Sequence, residues 1–331
     1  MVETDCLILG NSLAGRAVYT VLRREAGLRI LVVDPDPQPG ASIALVRSGE
    51  YAYPRIPVLV TRREAEELLG TLPRGCAEEV VLKPTVLKEG DLRAKVLGYE
   101  RGEYQEPWPL RWRGELVFMT RPIECLERSG VLEPLGNFVR SGVRVVDLDR
   151  RVAQLSIGTV VRFRCLVSTF PIDVLHGKVR SSANLFTPDP QGRSVGFYIA
   201  SLLIASPSPI AGVLYHATRA SRAHTFLALP LNGMQLLYII ASYSRSYPPM
   251  PGFTEKLFSE ARRFGLLKGE IVMEYSYATM YGALSVSPPL RMSHDVPFLA
   301  LYGRTALWKE MSVVEVVRGA EGAAERVLAT L

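Results

Sequence analysis

The amino-acid sequence predicts an α/β protein in which a parallel sheet with an N-terminal β-α-β unit forms one domain and an inserted antiparallel sheet forms another. Three observations predict this fold class. The first 34 residues follow a strand–helix–strand pattern, residues 176–289 show mainly the two-residue alternation of β-strands, and the chain closes with an apolar strand and a helix. With 331 residues, the chain is long enough for about two domains.

We expect both domains to be discontinuous in sequence. Residues 1–75, 140–175 and 290–331 are expected to form the parallel-sheet domain. Residues 76–139 and 176–289 are expected to form the antiparallel domain.

Composition and charge exclude several classes of protein. The chain is 48% apolar and 22% charged, which is typical of globular proteins rather than disordered or collagen-like ones. No segment reaches the roughly 18 uncharged apolar residues of a membrane-spanning helix, and the N-terminus lacks the basic segment of a signal peptide. The net charge of +6 is not concentrated in an arginine-rich block, so we expect no nucleic-acid partner.

The cysteines and histidines predict no metal site. Cys6, Cys76, Cys125 and Cys165 form no C-x-x-C pair, and the four histidines show no H-E-x-x-H spacing. Four scattered cysteines are typical of reduced thiols, and we therefore expect a cytoplasmic protein.

The clearest motif is the β-α-β unit at the N-terminus. Gly10 follows an apolar strand over residues 6–9 and allows a tight turn, while Gly15 lets the next helix pack closely on the strand. Asp34 ends the second strand, 19 residues beyond Gly15, where a carboxylate can accept a hydrogen bond from an adenosine ribose. This spacing favours a dinucleotide-binding Rossmann-like unit, and the alternative is an α/β unit without a ligand.

The glycine pattern of this unit departs from the dinucleotide-binding motif at its middle position. Ser12 stands where the motif has glycine, which adds a Cβ atom close to the expected phosphate but also a hydroxyl that can donate a hydrogen bond. The residues expected to bind the pyrophosphate are Gly10, Asn11, Ser12, Leu13, Ala14 and Gly15.

The segment after Asp34 resembles the FAD-dependent superfamily of amine oxidases, protoporphyrinogen oxidases and UDP-galactopyranose mutases. Residues 35–42 form a turn-rich loop rather than a crossover helix. That superfamily places a Gly-Gly pair in this loop, and here Gly40 and Ala41 stand at that place with one glycine lost. The resemblance implies that Pro35, Gly40, Ala41 and Ser42 contact FAD.

The centre of the chain carries a second segment similar to this superfamily. Residues 143–148 and 151–155 are predicted to form one continuous strand, and residues 160–163 its hairpin partner. The resemblance implies that Val152 contacts the adenine through its main chain, and that Thr169 and Pro171 lie where the chain re-enters the FAD-binding domain. The alternative for Thr169 and Pro171 is an ordinary strand end, because proline stops the ladder of hydrogen bonds.

The C-terminal segment is similar to the closing flavin motif of the superfamily. An apolar strand over residues 297–302 precedes Gly303 and Arg304, and a final helix is predicted over residues 313–328. The resemblance implies that Gly303 allows close approach of the backbone and that Arg304 neutralises the pyrophosphate.

The same resemblance implies a role for the start of the final helix. Ser312 and Glu315 have the spacing of a capping box, and a helix N-terminus carries a partial positive charge. Met311, Ser312 and Val313 are therefore expected to bind the flavin ring through their main chain, although a helix that only closes the sheet fits the capping box equally. Because no cysteine follows Cys165, we expect noncovalent FAD.

The resemblance implies that the antiparallel domain covers the flavin and binds a small-molecule substrate. This domain contains two groups of candidate residues. Arg219, Arg222 and His224, with His216, are candidates for binding an anionic substrate such as a nucleotide-sugar diphosphate, and Arg222 and His224 are expected to share one strand face. The alternative is a solvated sheet face.

The second group consists of Tyr277 and Tyr281. They lie in a segment similar to the tyrosine-containing strand with which the superfamily lines its flavin cavity, and their spacing puts them on one face of a strand. The alternative is that both rings fill the core.

These predictions favour an FAD-dependent oxidoreductase that takes hydride from a C–N or C–C bond of a small molecule. One alternative is an isomerase similar to UDP-galactopyranose mutase. Another is a non-catalytic flavin-binding subunit, since both glycine signatures are degraded. A homo-oligomer or a partner subunit is compatible with each alternative, and the sequence identifies neither the substrate nor a catalytic acid or base.

Overall fold

The computed structural model describes residues 1–25, 27–70, 75–87, 90–206, 208–244 and 246–331. The chain divides into two compact units, each discontinuous in sequence. Unit 1 comprises Met1–Ala44, Leu126–Arg193 and Val286–Leu331, and unit 2 comprises Leu45–Cys125 and Ser194–Ser285.

The strands, numbered in chain order, are β1 (Val2–Leu9), β2 (Ile30–Asp34), β3 (Leu45–Ser48), β4 (Tyr51–Pro54), β5 (Leu59–Thr61), β6 (Ala77–Leu82), β7 (Pro84–Leu87), β8 (Gly114–Met119), β9 (Phe138–Arg140), β10 (Val143–Asp147), β11 (Val152–Leu155), β12 (Val160–Ser168), β13 (Val179–Arg180), β14 (Phe186–Pro188), β15 (Ser194–Ala205), β16 (Gly212–His216), β17 (Ala223–Leu231), β18 (Met234–Tyr243), β19 (Glu270–Leu284), β20 (Leu290–Met292) and β21 (Leu299–Leu301).

The α-helices are α1 (Leu13–Arg24), α2 (Arg62–Leu69), α3 (Leu92–Val96), α4 (Pro122–Arg128), α5 (Ile172–His176), α6 (Phe253–Arg263), α7 (Val313–Arg318) and α8 (Ala320–Leu328). Two short 3₁₀ helices span Ala41–Ile43 and Trp108–Arg111. No helix in the described ranges is both long enough and apolar enough to span a bilayer.

Unit 1 is built on a largely parallel sheet with the strand order β13-β10-β11-β12-β1-β2-β9, and β21 also pairs with β12. β1 lies in parallel pairing between β12 and β2. Its residues 6–9 are fully buried, as expected for an apolar strand covered on both faces. α1 packs against α7 and α8, so the N-terminal and C-terminal segments of the chain meet in this unit. The predicted α/β fold with an N-terminal β-α-β unit is confirmed.

The centre of unit 1 differs from the prediction in one respect. Residues 143–155 form two antiparallel strands, β10 and β11, and not one continuous strand. The chain turns back after Asp147, whose carboxylate accepts a hydrogen bond from the Arg150 N–H at 2.9 Å. Arg151 then adopts a left-handed conformation with φ 52°, which closes the turn.

The final helix also differs from the prediction of one element over residues 313–328. It consists of α7 and α8, which meet at Gly319. The capping box of Ser312 and Glu315 is present at the start of α7.

Unit 2 contains the expected antiparallel sheet, with the strand order β19-β15-β18-β17-β16-β7. A three-stranded sheet, β5-β8-β6, and the β3-β4 hairpin belong to the same unit. One buried cluster includes Tyr53, Phe118, Phe197 and Tyr238, and a second joins the sheet to α6 through Leu257. The sheet is therefore apolar on both faces, which explains why its central strands have few polar positions.

The domain bounds differ from the expected ones. Residues 45–75 were expected in the parallel-sheet domain, but the described part of this segment falls in unit 2, because β5 pairs with β8. Residues 126–139 and 176–193 fall in unit 1, because β9 pairs with β2 and β13 pairs with β10.

The prediction of four reduced thiols is wrong for two of the cysteines. Cys76 and Cys125 form a disulfide across 49 residues of sequence, with their Cα atoms 5.6 Å apart. Cys76 directly precedes β6 and Cys125 lies in α4, so the fold of unit 2 brings together residues that sequence spacing does not connect. Cys6 and Cys165 are free thiols, buried opposite each other on β1 and β12. The argument for a reducing compartment therefore loses its basis.

Candidate functional site

The turn between β1 and α1 requires glycine at both ends. Gly10 has φ 110°, and a Cβ atom there would lie 2.1 Å from Oγ1 of Thr169. A Cβ atom on Gly15 would lie 2.0 Å from the carbonyl oxygen of Gly10. The helix therefore starts in direct contact with the end of the strand, which is the geometry that brings helical N–H groups close to a bound phosphate.

Ser12 has a structural role in this turn. Its Oγ accepts a hydrogen bond from the Gly15 N–H at 3.3 Å and caps α1. The same hydroxyl donates to Oγ1 of Thr169 at 3.0 Å, and Thr169 donates to the carbonyl oxygen of Leu9 at 3.0 Å. The serine in place of the expected glycine thus links the ends of β1 and β12 at the N-terminus of α1.

Asp34 lies at the end of β2 and its carboxylate faces the same turn. Oδ2 accepts a hydrogen bond from the Asn11 N–H and Oδ1 one from the Asp36 N–H, both at 2.7 Å. Burial raises the pKa of Asp34, and the two backbone hydrogen bonds act in the opposite direction. The side chain of Asn11 is buried beside it, and its Oδ1 has no hydrogen-bond partner within the described ranges. An unsatisfied buried acceptor next to an oriented carboxylate fits a site for a ligand with hydroxyl or amide donors.

The loop after β2 folds back onto this turn. The Gly40 N–H donates to the carbonyl oxygen of Asn11 at 2.8 Å, and Gly40 pairs with Ser12 in an isolated bridge. Gly40 has φ 100° and Ala41 φ 51°, so both positions are left-handed. Ala41 therefore adopts the backbone conformation that a second glycine would adopt without strain. Ser42 follows within the short 3₁₀ helix, whereas Pro35 is exposed.

The C-terminal segment reaches the same turn through Gly303. This residue follows β21 with φ 98°, and a Cβ atom there would lie 2.7 Å from the Cβ atom of Ala14 in α1. Arg304 is held in a bidentate ion pair with Glu310, at 2.8 and 2.5 Å. Its charge is therefore already opposed by a carboxylate that is largely buried. Met311, Ser312 and Val313 follow as half-buried residues at the start of α7.

Val152 does not lie near this turn. Val152 pairs with Arg162, and Arg162 pairs with Glu3 at the start of β1. Gly10 follows the other end of β1. Six residues of β12, or roughly 20 Å, separate Arg162 from Ser168. The expectation that Val152 contacts adenine is therefore wrong, because the hairpin containing it turns at the other end of the sheet. Pro171, by contrast, is the N-cap residue of α5 and lies two residues after Thr169.

Sequence reasoning missed two residues beside Asp34. β9 pairs in parallel with β2, so that Arg140 stands opposite Asp34, and the Ser141 N–H donates to the carbonyl oxygen of Asp34 at 3.0 Å. β9 has only three residues, too few for a periodic signal. The recognisable feature was the Ser-Gly pair that follows it.

The basic candidates of unit 2 do not form one cluster in the described structure. The guanidinium of Arg219 lies 4.4 Å from the ring centroid of Tyr99, and that of Arg222 lies 6.0 Å from Phe253. Arg222 is exposed and precedes β17, whereas His224 is fully buried at an irregularity in the pairing of that strand. The prediction that these two residues share a strand face is therefore wrong.

The electrostatics of His224 also argue against an anion-binding role. Burial, with a further contribution from Lys95, lowers its pKa to about 3, so the imidazole is neutral at neutral pH. His224 contacts Phe197 at 5.3 Å between ring centroids, while His216 contacts Phe264 at 5.4 Å. These two aromatic rings belong to the two different hydrophobic clusters of unit 2.

The tyrosine candidates lie on β19, a strand that pairs with β15. The guanidinium of Arg55 lies 5.7 Å from the ring centroid of Tyr277, and both tyrosines are half-buried. The pairing shifts between Thr279 and Ala283, which interrupts the alternation around Tyr281. The spacing of four residues therefore does not by itself put Tyr277 and Tyr281 on the same face.

Comparison with known proteins identifies the fold. No protein-family model and no curated protein sequence matches the chain. The structure is similar to reduced UDP-galactopyranose mutase, with a TM-score of 0.71 and 10% identity over 100% of this chain and 95% of that one. It is also similar to cyclohexylamine oxidase from Brevibacterium oxydans, with a TM-score of 0.67 and 12% identity over 98% and 99% of the two chains.

A third similar structure is putrescine oxidase bound to putrescine, with a TM-score of 0.63 and 10% identity over 99% of both chains. These similarities extend over nearly the whole chain and include both units. The resemblance to this superfamily, which the sequence carries in less than half of its length, is confirmed at the level of the fold.

Proposed function

We propose that unit 1 binds FAD noncovalently and that the chain is an FAD-dependent oxidoreductase of the amine oxidase-like superfamily. The observation that carries the proposal is the convergence of distant segments on one turn. Asp34, Gly40, Thr169 and Gly303 all contact the segment from Gly10 to Gly15. They were predicted to bind the cofactor from three parts of the sequence: the N-terminal segment with Asp34 and Gly40, the centre with Thr169, and the C-terminal segment with Gly303.

The residues of this turn fit a dinucleotide. The first turn of α1 offers N–H groups and a partial positive charge to a pyrophosphate. The carboxylate of Asp34, fixed by two backbone N–H groups, retains lone pairs for a ribose hydroxyl. Bound there, FAD would supply the capacity to accept two electrons from a substrate.

Noncovalent binding is supported by the state of the cysteines. Cys76 and Cys125 are joined in a disulfide, and the free thiols of Cys6 and Cys165 are buried within the parallel sheet. At the proposed site the protein therefore holds the cofactor through hydrogen bonds, including those from N–H groups at helix N-termini.

A substrate C–N or C–C bond is the finer part of the proposal, supported by the fold shared with two amine oxidases. The likeness to UDP-galactopyranose mutase favours a flavin-dependent isomerase as the second candidate. Binding of UDP, lost in Arg219→Ala, would support the isomerase. Oxidation of an amine with reduction of the bound flavin would support the oxidoreductase, and a flavoprotein that does neither would support a non-catalytic subunit.

The proposal is tested by the absorption spectrum of the purified chain and by identification of the cofactor released on heating. We expect flavin absorption bands and released FAD. Asp34→Ala removes the acceptor of two backbone N–H groups and of the ribose, and we expect it to weaken FAD binding by about tenfold or more.

Asp36→Ala is the matched control, because Asp36 lies in the same loop and its carboxylate binds the Gln38 N–H instead. Unchanged FAD retention in Asp34→Ala would remove Asp34 from the ribose role. A colourless chain that takes up no added FAD would overturn the proposal as a whole.

A further inference from the structure

Unit 1 contains a cavity of about 500 Å³, open to solvent, that none of the predicted cofactor-binding residues lines. It lies beside β21, and its walls come from β20, α8 and the segment that follows β21. This volume is in the range of sites for small organic ligands, about 300 to 1,000 Å³. It lies entirely within unit 1 and is separate from the turn at Gly10.

The interior of the cavity is apolar. Leu290, Met292, Leu301 and Trp308 are among its lining side chains. Trp308 is buried although its backbone is left-handed, with φ 55°, a conformation that bulky residues rarely adopt. The segment after β21 thus places the indole ring of Trp308 at the cavity, although the left-handed backbone conformation is unfavourable for tryptophan.

Small residues at the junction of α7 with α8 and on α8 itself provide the space. Gly319, Gly322 and Ala323 line the cavity. A Cβ atom on Gly319 would lie 2.8 Å from Oη of Tyr302, whereas a Cβ atom on Gly322 would meet no atom within 4 Å. Glycine in the interior of a helix disfavours that helix, and at Gly322 no steric contact of the protein requires it.

The charged side chains that line the cavity are two arginines. Arg291 and Arg326 line it, and no carboxylate is among its described lining residues. Arg291 donates through Nη2 to Asp189 at 2.9 Å, and Arg326 donates through Nε to the carbonyl oxygen of Leu299 at 3.1 Å and through Nη2 to Asp295. A guanidinium has five N–H donors, so these contacts leave others on each arginine for a further acceptor.

We propose that this cavity binds a lipophilic carboxylate, with its apolar body against Trp308 and Gly322 and its carboxylate at Arg291 and Arg326. Arg291 and Arg326 are each paired with an aspartate, and the N–H donors that remain on them select an acceptor such as a carboxylate. The apolar walls select a ligand with a hydrocarbon or aromatic body. This site is additional to the proposed cofactor site, and its occupancy is measured whether or not flavin is bound.

The test uses dodecanoate as the ligand and the fluorescent anion 1-anilinonaphthalene-8-sulfonate (ANS) as the probe. We expect dodecanoate to displace ANS, and uncharged dodecanol and cationic dodecylamine to displace it at least tenfold less well. Energy transfer from tryptophan to bound ANS locates the probe. It should fall more in Trp308→Phe than in Trp112→Phe, because Trp308 lines the cavity and Trp112 does not.

Two further variants separate volume from charge. Gly322→Leu fills the space on α8 and should abolish displaceable ANS binding while the circular dichroism spectrum stays unchanged. Arg291→Gln combined with Arg326→Gln should raise the dissociation constant of dodecanoate at least tenfold. Arg144→Gln, an exposed substitution on β10, is the control and should leave it unchanged.

Three outcomes would overturn the proposal. Equal displacement by dodecanoate and dodecanol would show that the arginines do not select an anion. ANS binding that survives Gly322→Leu or loses no energy transfer in Trp308→Phe would place the probe elsewhere. Displacement of the probe by FAD would show that the cavity belongs to the dinucleotide site.

Discussion

Two residues, Ser12 and Ala41, replace glycines that the cofactor-binding motif would have at these positions. Ser12 replaces a glycine, but its hydroxyl caps α1 and binds Thr169, so the departure adds hydrogen bonds to the turn. Ala41 replaces another and keeps the left-handed backbone that glycine favours. The sequence predicted the positions of both departures. It could not predict the partner of Ser12, because Thr169 lies 157 residues further along the chain.

The burial of His224 predicts how the free energy of unfolding depends on pH. Its pKa is about 3 in the folded protein, below the ordinary value of 6.5, because burial disfavours the charged imidazolium. Between these two values the unfolded chain binds more protons than the folded one, so the free energy of unfolding falls as the pH falls. The contribution of this one group is at most about 1.4 kcal/mol per pH unit.

Replacement of this histidine should remove that contribution. In His224→Gln we expect the free energy of unfolding, measured by urea denaturation, to depend less steeply on pH between about 6 and 4. His294→Gln is the matched control, because His294 is exposed in the folded protein. An unchanged slope in His224→Gln would mean that the imidazole is not charged on unfolding in this range.

At the scale of elements, α1 and α8 each contain a glycine inside the helix, for opposite reasons. Gly15 lies where a Cβ atom would meet the backbone of Gly10, whereas Gly322 lies beside open space. The sequence distinguishes them only through context: Gly15 belongs to a turn motif after a strand, and Gly322 stands in a helical pattern with no turn. The elements were predictable where periodicity and turn residues agreed, as in β1, α1 and β2, and were missed where a strand was as short as β9.

The two helical glycines therefore predict opposite effects of the same substitution. Gly15→Ala should lower the free energy of unfolding by about 1–3 kcal/mol, because the backbone at Gly10 must move to accept the methyl group. Gly322→Ala should raise it by up to about 1 kcal/mol, because alanine favours the helix and meets no atom. Urea denaturation of both variants without added cofactor measures the two changes, and equal signs would contradict the steric account.

At the scale of the whole molecule, the parallel-sheet unit was largely predictable and the other unit was not. Unit 1 begins with a β-α-β unit that is local in sequence, and its distant strands β12 and β21 lie in the segments that carry the resemblance. Unit 2 depends on pairings between distant segments, such as β7 with β16 and β5 with β8. The candidates Arg222 and His224 were placed on one face by simple alternation, and the irregularity at the start of β17 separates them. A bulge changes the face of a side chain without leaving a reliable trace in the sequence.

The disulfide between Cys76 and Cys125 predicts that its removal lowers the stability of the folded chain. Cys76 and Cys125 are separated by 49 residues, and closing a loop of this length lowers the entropy of the unfolded chain by an amount equivalent to about 4 kcal/mol. We expect Cys76→Ser combined with Cys125→Ser, or a reducing agent acting on the original chain, to lower the midpoint of urea denaturation. Adding the reducing agent to the double variant is the control and should cause no further shift, because Cys6 and Cys165 are free thiols and no disulfide remains to be reduced. Alkylation of the denatured chain should modify two cysteines before reduction and four after it, since the four cysteines include one disulfide. Four modified cysteines before reduction would contradict the disulfide and restore the expectation of reduced thiols.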